Sequence, residues 1–295
     1  MNMESYRLNQ LLSMSPRAQL ERTRRKIREA YHHWEGDVYV AFSGGRDSTV
    51  LLDLVREQFP KVPAVFCDTG LEYPEVRKFA LSVDNLVTLK PKITFKEILS
   101  KYGYPVISKE TAQKLYEIRT TKSDKLRHKR MHGDDNKNKS GELSEKWKFL
   151  IDCPFKISHM CCDVMKKRPS KSFEKKEGVF PFVGTMVCDS QLRKQSYRKH
   201  TCNAFDLTRP RSAPLSLWSE DHIRLYVKDR GLKISDIYNM GENHTGCMFC
   251  AFSIHLEKSP NKFQRMKKIH PRLWAYCMDK LGMREVLKYI NIPCE

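Results

Sequence analysis

Two sets of residues in this chain have the types and spacing to do chemistry. The first is Ser43-Gly44-Gly45-Arg46-Asp47-Ser48. The apolar, β-prone run Val38 to Phe42 precedes it, and Val50, Leu51, Leu54 and Val55 follow at helical spacing. That order predicts a buried parallel strand, a tight turn and a helix from about Asp47 to Gln58. The glycines bring backbone N–H groups close to a ligand, and the helix aims its positive dipole end at the same spot. The product is a cradle for a phosphate-like anion. It lacks the Lys-Ser/Thr pair of the G-x-x-x-x-G-K-[ST] loop, so it is a different device. The second set is the adjacent pair Cys161-Cys162 with the distant Cys247-x-x-Cys250. A C-x-x-C turn offers two thiolates to one metal, and the adjacent pair can complete a four-thiolate site. Iron–sulfur chemistry, zinc and inert burial are the three readings of such a set. Cys67, Cys153, Cys188, Cys202 and Cys277 fit no ligand spacing, so they are expected to be buried.

The elements that must position these residues follow from the pattern around them. Ala64 to Cys67 reads as a second buried strand ending in Asp68-Thr69-Gly70, Asn85 to Leu89 as a third, and Val179 to Gly184 as another. Strand–helix alternation predicts a doubly wound, mostly parallel α/β sheet. Ligands of such sheets sit beyond the carboxyl ends of the strands, which puts Asp68 in reach of a ribose or a phosphate-bound Mg²⁺. Thr94 and Glu97 are spaced as a capping box, Ser219 is placed to cap a helix running to Arg230, and Pro260 is expected at the first position of a tail helix. The organisation expected is a helical segment at 1–35, an α/β domain at 36–252 and a helical tail at 253–295. A basic insertion at 119–148 interrupts the domain, with His132 to Gly141 as an exposed, mobile loop.

The chain has 295 residues, with 54 Lys and Arg against 35 Asp and Glu, a formal charge of +19. Such an excess points to a polyanionic partner, DNA or RNA, or to a solvated basic surface. Residues 119–148 and the run Lys194, Arg198, Lys199 and His200 are the places where a polyanion would be gripped. No stretch is long and apolar enough to span a bilayer, and no secretory pattern follows Met1. A cytoplasmic setting without membrane contact is expected, where cysteines serve metals, catalysis or burial rather than disulfides.

Ser43-Gly44-Gly45-x-Asp47-Ser48 after a strand resembles the PP-loop of ATP pyrophosphatases. Asp68-Thr69-Gly70, then Glu72-Tyr73-Pro74-Glu75, resembles the D-T-G-x-E-[FY]-P-E run of the phosphoadenosine phosphosulfate reductase family, and Tyr102-Gly103-Tyr104-Pro105 its Y-G-x-P segment. Cys161, Cys162, Lys166 and Pro169 match C-C-x₃-K-x₂-P, and Cys247 and Cys250 the later C-x-x-C, of its four-cysteine iron–sulfur branch. Gly184, Ser190 and Arg193 match G-x-R-x-x-[EQ]-S-x-x-R, whereas Met186 stands where Arg is usual and Asp189 where Glu or Gln is usual.

The resemblance implies an adenine nucleotide α-hydrolase-like fold that binds ATP or a related adenine nucleotide with Mg²⁺. Ser43, Gly44, Gly45 and Ser48 would hold pyrophosphate, with Asp47 near Mg²⁺; Ser43, Asp47 and Ser48 would be catalytic. Asp68, Gly184, Ser190 and Arg193 would complete the nucleotide site, and Cys161, Cys162, Cys247 and Cys250 would carry a [4Fe–4S] cluster. The leading function is ATP-dependent sulfur transfer to nucleic acid with a sulfur-donor protein, in the manner of the DNA phosphorothioation ATPases that the chain is similar to. Reduction of adenylyl sulfate or its 3′-phosphate form is the second. It needs a nucleophilic cysteine, which the family carries in E-C-G-[IL]-H; here the stretch reads Ile292-Pro293-Cys294-Glu295. A catalytically silent nucleic-acid binder is the third.

Overall fold

The structure, a computed structural model, describes residues 4–134 and 141–295. Its strands are β1 (Val38–Phe42), β2 (Ala64–Cys67), β3 (Leu86–Leu89), β4 (Val106–Ile107), β5 (Phe180–Val183), β6 (Asn203–Ala204), β7 (Arg211–Ser212) and β8 (Ala251–Phe252). Two compact units emerge. The first comprises Met1–Asp68, Glu72–Lys90 and Pro169–Thr245; the second comprises Thr69–Leu71, Pro91–Arg168 and Gly246–Glu295. Chain order does not follow the units: the 119–148 stretch and the 253–295 tail both fall in the second.

The first unit is built on a six-stranded sheet in the order β3-β2-β1-β5-β7-β6. All pairings are parallel except β6 with β7, so the expected mostly parallel sheet is present. β1 lies inside it, with Val40 opposite Ala64 of β2 and Phe182 of β5. This is why its residues are apolar on both faces: helices cover the sheet on each side. Ile27, Ala30, Val40, Val50, Leu51, Leu54 and Phe182 have no exposed surface. Burial of each large apolar side chain stabilises the fold by about 1.5–3 kcal/mol. The helix Arg46–Gln58 starts directly beyond the carboxyl end of β1. The N-terminal helices Ser5–Leu12 and Pro16–His33 belong to this unit, the second burying Ile27 and Ala30 as its spacing predicts. Ser219 caps Glu220–Asp229 by accepting the His222 N–H.

The second unit joins β4 and β8 in a parallel pair, Val106 opposite Ala251 and Ile107 opposite Phe252. The Thr94–Glu97 capping box is present at helix Phe95–Lys101. Two local expectations change. The expected insertion contains a helix, Asp124–His132, with no buried residue; Ser123 accepts the Leu126 N–H at its start, and Gly133 ends it at φ +93°. Local capping, absent from a periodicity argument, fixes this helix. Of the loop expected at His132 to Gly141, residues 135–140 lie outside the described residues. The tail helix is Lys262–Ile269, and its cap is Asn261 rather than a first-position Pro260. The Asn261 carboxamide oxygen accepts from both Phe263 and Gln264, a stronger start signal than the proline ring. Among the described residues, no helix is long and apolar enough to cross a membrane.

Candidate functional site

The turn after β1 is a web of hydroxyl and backbone hydrogen bonds. The Ser43 N–H donates to Ser48 Oγ at 3.2 Å, and the two serine hydroxyls lie 3.1 Å apart. Gly45 N–H donates to Ser43 Oγ at 3.3 Å, while Ser48 and Thr49 hydroxyls donate to the Gly45 carbonyl at 2.9 and 3.0 Å. Gly45 is the N-cap of the following helix and has no side chain to satisfy the first N–H groups. Gly44 adopts φ +75°, and a Cβ on it would stand 2.9 Å from the Val76 backbone oxygen, so only glycine fits. Gly45 is excluded from substitution by crowding alone: its Cβ would stand 2.5 Å from Thr245 Oγ1. On the other flank, a Cβ on Gly184 would meet the Asp47 carbonyl at 3.3 Å, which ties the end of β5 to the helix start. A phosphate brought here meets two serine hydroxyls and the positive end of the helix dipole, while the first helical N–H, that of Arg46, is already taken by Tyr238 Oη.

Charged groups surround the cradle. Asp47 lies in the first helical turn, and burial pushes its carboxyl above the ordinary aspartate value. Arg46, His244 and Arg193 counter that shift and Glu220 adds to it, so all four are within electrostatic reach. Arg46 is held twice over: its N–H donates to Tyr238 Oη at 2.9 Å and its guanidinium lies 4.4 Å from the centre of the same ring. A further guanidinium N–H donates to the Asn243 carbonyl at 3.0 Å. Ser190 caps the helix Gln191–His200 by accepting the Arg193 N–H, and the Arg193 guanidinium pairs with Asp189. Asp189 also accepts the Met186 N–H at 2.8 Å. Met186 itself is buried in the apolar core, 2% exposed. Asp68 is buried at the end of β2, and Arg77 grips it with a fork of 2.8–3.1 Å hydrogen bonds. Its carboxylate therefore already serves one cation.

Ser43, Gly44, Gly45, Asp47 and Ser48 stand together as the spacing predicts, with Gly184 and Arg193 near Asp47. The sequence does not reveal Tyr238, Thr245 and Glu220 as neighbours of the loop. Tyr238 and Thr245 come from nearly two hundred residues away, and only the closed fold brings them in. Cys188 departs from its expected burial. It sits exposed on a short turn, Val187–Asp189, whose buried member is Val187, and it is within electrostatic reach of Asp47 and Arg193.

The second unit gathers the four spaced cysteines. Cys161 and Cys162 open a helical run in which Asp163–Lys167 forms a π turn, continued by Arg168–Glu177. The wide turn precedes Pro169, whose ring and missing N–H disfavour regular helix around it. In the other pair, the Cys250 N–H donates to the Cys247 carbonyl at 3.1 Å, and buried Met248 and Phe249 pin the turn to the core. The Met248 N–H is taken by the Leu71 carbonyl at 2.7 Å. Lys262 Nζ donates to the Cys247 carbonyl at 3.2 Å and to that of Cys250. Burial pushes the Cys161 thiol up, and Cys162, Cys247 and Cys250 push it further; Cys250 is raised for the same leading reason. The four sulfurs are thus electrostatic neighbours, and the donor set suits a four-thiolate centre. Among the described residues, no three His, Cys, Asp or Glu side chains already stand as a closed metal-holding group.

The sequence profile of the phosphoadenosine phosphosulfate reductase domain matches residues 37–132 and 108–252, a span that holds both constellations. The chain belongs to this family. Within the phosphoadenosine phosphosulfate reductase family it is similar to an uncharacterised protein of Methanocaldococcus jannaschii, 25% identical over 252 residues, covering 84% of this chain and 42% of that protein. A second uncharacterised protein of that organism is covered over 49% of its length, so the chain spans about half the length of these curated relatives. It is also similar to the adenosine 5′-phosphosulfate reductase of Staphylococcus epidermidis, 22% identical over 229 residues, covering 76% of this chain and 74% of that enzyme. Among solved structures, the phosphoadenylyl-sulfate reductase of Candida auris in a phosphate complex aligns at TM-score 0.43 and 16% identity, over 84% of this chain and 97% of that one. The U34-tRNA thiolase NcsA of Methanococcus maripaludis with its [4Fe-4S] cluster aligns at TM-score 0.40 and 16% identity, over 95% and 83%.

Proposed function

We propose that this member of the phosphoadenosine phosphosulfate reductase family is an ATP pyrophosphatase that activates nucleic acid for sulfur transfer. The observation that carries the reading is the Ser43–Ser48 cradle at a helix start, with Asp47 in its first turn. An acceptor oxygen of RNA or DNA attacks the α-phosphorus of ATP, and pyrophosphate leaves into the cradle. Sulfide-level sulfur from a donor protein then forms the new bond to the acceptor, and AMP leaves with the oxygen. No electrons are required. Ser43 and Ser48 hydroxyls and the backbone N–H groups hold the leaving pyrophosphate, where charge grows as the bond breaks. Asp47 would hold the Mg²⁺ that accompanies the nucleotide, and Arg193 and Arg46 add positive charge. Asp68, Gly184 and Ser190 shape the rest of the nucleotide pocket. The charge of +19 and the basic stretches at 119–148 and at Lys194, Arg198 and Lys199 support a nucleic-acid acceptor gripped through phosphates.

Cys161, Cys162, Cys247 and Cys250 would hold a [4Fe–4S] cluster in this reading. With four thiolates every iron is closed by protein, so such a centre supplies structure and charge. Reduction of adenylyl sulfate is the second reading, favoured by the similarity to the Staphylococcus epidermidis enzyme. Against it, Cys294 is 4% exposed, its carbonyl accepts the Trp274 indole N–H at 3.0 Å, and burial pushes its thiol up. A nucleophile needs the opposite environment. The test is anaerobic purification with whatever nucleic acid accompanies the protein, followed by ATP, Mg²⁺ and labelled sulfide. Label in the nucleic acid, unaffected by Cys294→Ser, is the expected result. Sulfite released from adenylyl sulfate by the wild type and lost in Cys294→Ser would overturn it.

A further inference from the structure

Lys262 occupies an unusual place. It is the first residue of the helix Lys262–Ile269, capped by Asn261, and so puts a positive charge at the positive end of the helix dipole. Its ammonium is partly buried and donates to the Cys247 carbonyl at 3.2 Å and to the Cys250 carbonyl. Other partly buried cations of the same unit have carboxylates: Lys114 has Glu110 at 2.6 Å and Arg130 has Glu117 at 2.6 Å. Among the described residues, no carboxylate pairs with the Lys262 ammonium. Its hydrogen-bond partners are neutral carbonyls, and the centre of the Phe263 ring lies 5.4 Å from it; none of these carries the full negative charge that would pair a cation withdrawn from water.

A nearby carboxylate, Glu257, accepts the Lys262 backbone N–H at 2.8 Å and makes no ion pair with the ammonium, so a counter-charge must come from the turn that the ammonium does touch. A centre held by four thiolates is net negative whether the metal is iron with sulfide or zinc, and two of its sulfurs would come from the turn that Lys262 clasps. We infer that Lys262 is the positioning and counter-charge residue of the cysteine centre: its ammonium locks the Cys247–Cys250 turn through both carbonyls and offsets the charge of the thiolates once they bind metal. The inference rests on the reading that Cys161, Cys162, Cys247 and Cys250 hold a metal centre. It makes Lys262 matter to the hold on metal rather than to the nucleotide loop.

Wild type, Lys262→Met and Lys262→Arg, purified without oxygen, are compared for bound iron, acid-labile sulfide and zinc, and for the rate of metal loss to a chelator. Melting followed by circular dichroism reports the fold. Outer partners of metal ligands are typically worth about 10–100-fold in metal affinity. Lys262→Met is expected to fold and to lose metal about tenfold faster or more, with Lys262→Arg much closer to wild type. Metal loss from Lys262→Met at the wild-type rate would overturn the inference. So would a loss from Lys262→Arg as fast as from Lys262→Met, since the contact would then be one of shape. If Lys262→Met does not fold, Lys262→Gln is used, which keeps N–H donors without the charge; fast loss supports the inference and wild-type behaviour overturns it. Metal in the wild type with an indifferent Lys262→Met refutes this inference alone, whereas a wild type with neither iron nor zinc refutes the four-cysteine reading and this inference together.

Discussion

Thr245 Oγ1 stands 2.5 Å from the point that a Cβ on Gly45 would occupy. The backbone φ of Gly45 is −85°, which any residue can adopt, so this glycine is required by its neighbour and not by its own conformation. Gly45→Ala should therefore weaken nucleotide binding by about 1–3 kcal/mol, the usual cost of overpacking a tight site. Adding Thr245→Ala should return part of that loss. A double variant no better than Gly45→Ala alone, measured by calorimetric ATP titration, would show that the clash is not what limits the site.

Asp47 gives a pH signature. Burial holds its carboxyl above the ordinary aspartate value, so protons arrive at higher pH than they would on a free aspartate. Binding of Mg²⁺–ATP needs the carboxylate. Affinity should begin to fall at a pH above the ordinary aspartate range, and Asp47→Asn should remove that pH-dependent part. The sign for stability is opposite. A folded-state value raised above the unfolded one means that stability is lost as pH rises through it. Asp47→Asn should then melt slightly higher than wild type at neutral pH while binding Mg²⁺–ATP poorly. Affinity that stays flat down to about pH 4 would contradict the assigned role.

Stability of the first unit depends in part on a partly buried polar knot. Tyr39, 2% exposed on β1, donates its hydroxyl proton to Glu174 at 2.7 Å, and Arg209 forks onto the same carboxylate at 2.6 and 2.7 Å. Glu174→Ala leaves the buried Tyr39 hydroxyl without its acceptor and the partly exposed Arg209 to water, and should cost about 1–3 kcal/mol. Tyr39→Phe removes one hydrogen bond and leaves the fork, so about 1 kcal/mol is expected. Urea midpoints with an unchanged slope measure both. Equal losses in the two variants would mean that packing of the ring, and not the carboxylate, carries the effect.

Much of the fold was legible because it is written in local signals. Val38 to Phe42 is apolar on both faces because helices cover both faces of the sheet around β1, and Ser219 and the Thr94–Glu97 pair announce their helix starts chemically. The loop residues Ser43 to Ser48 were legible for the same reason: strand, glycines and helix are contiguous. Tyr238 was not legible at the loop, because its hold on the Arg46 backbone N–H depends on closure over 192 residues of sequence. Lys262 carries no motif, and its contact with the Cys247–Cys250 turn appears only once the tail helix is docked. Cys188 misled because spacing says nothing about which way a short turn faces. Met186 was readable as a departure, and the structure adds that the side chain packs into the apolar core at the edge of a cavity that Arg193 also lines.

The central claim is that the Ser43–Ser48 loop cleaves ATP between its α and β phosphates to activate an acceptor. The direct measurement is the identity of the products when anaerobic protein, Mg²⁺–ATP labelled at the α phosphate, sulfide and the co-purifying nucleic acid are combined. The account predicts AMP and pyrophosphate in equal amounts, in step with sulfur incorporation, and neither product from Ser43→Ala. ADP and orthophosphate as the products, or AMP formation unchanged in Ser43→Ala, would contradict it.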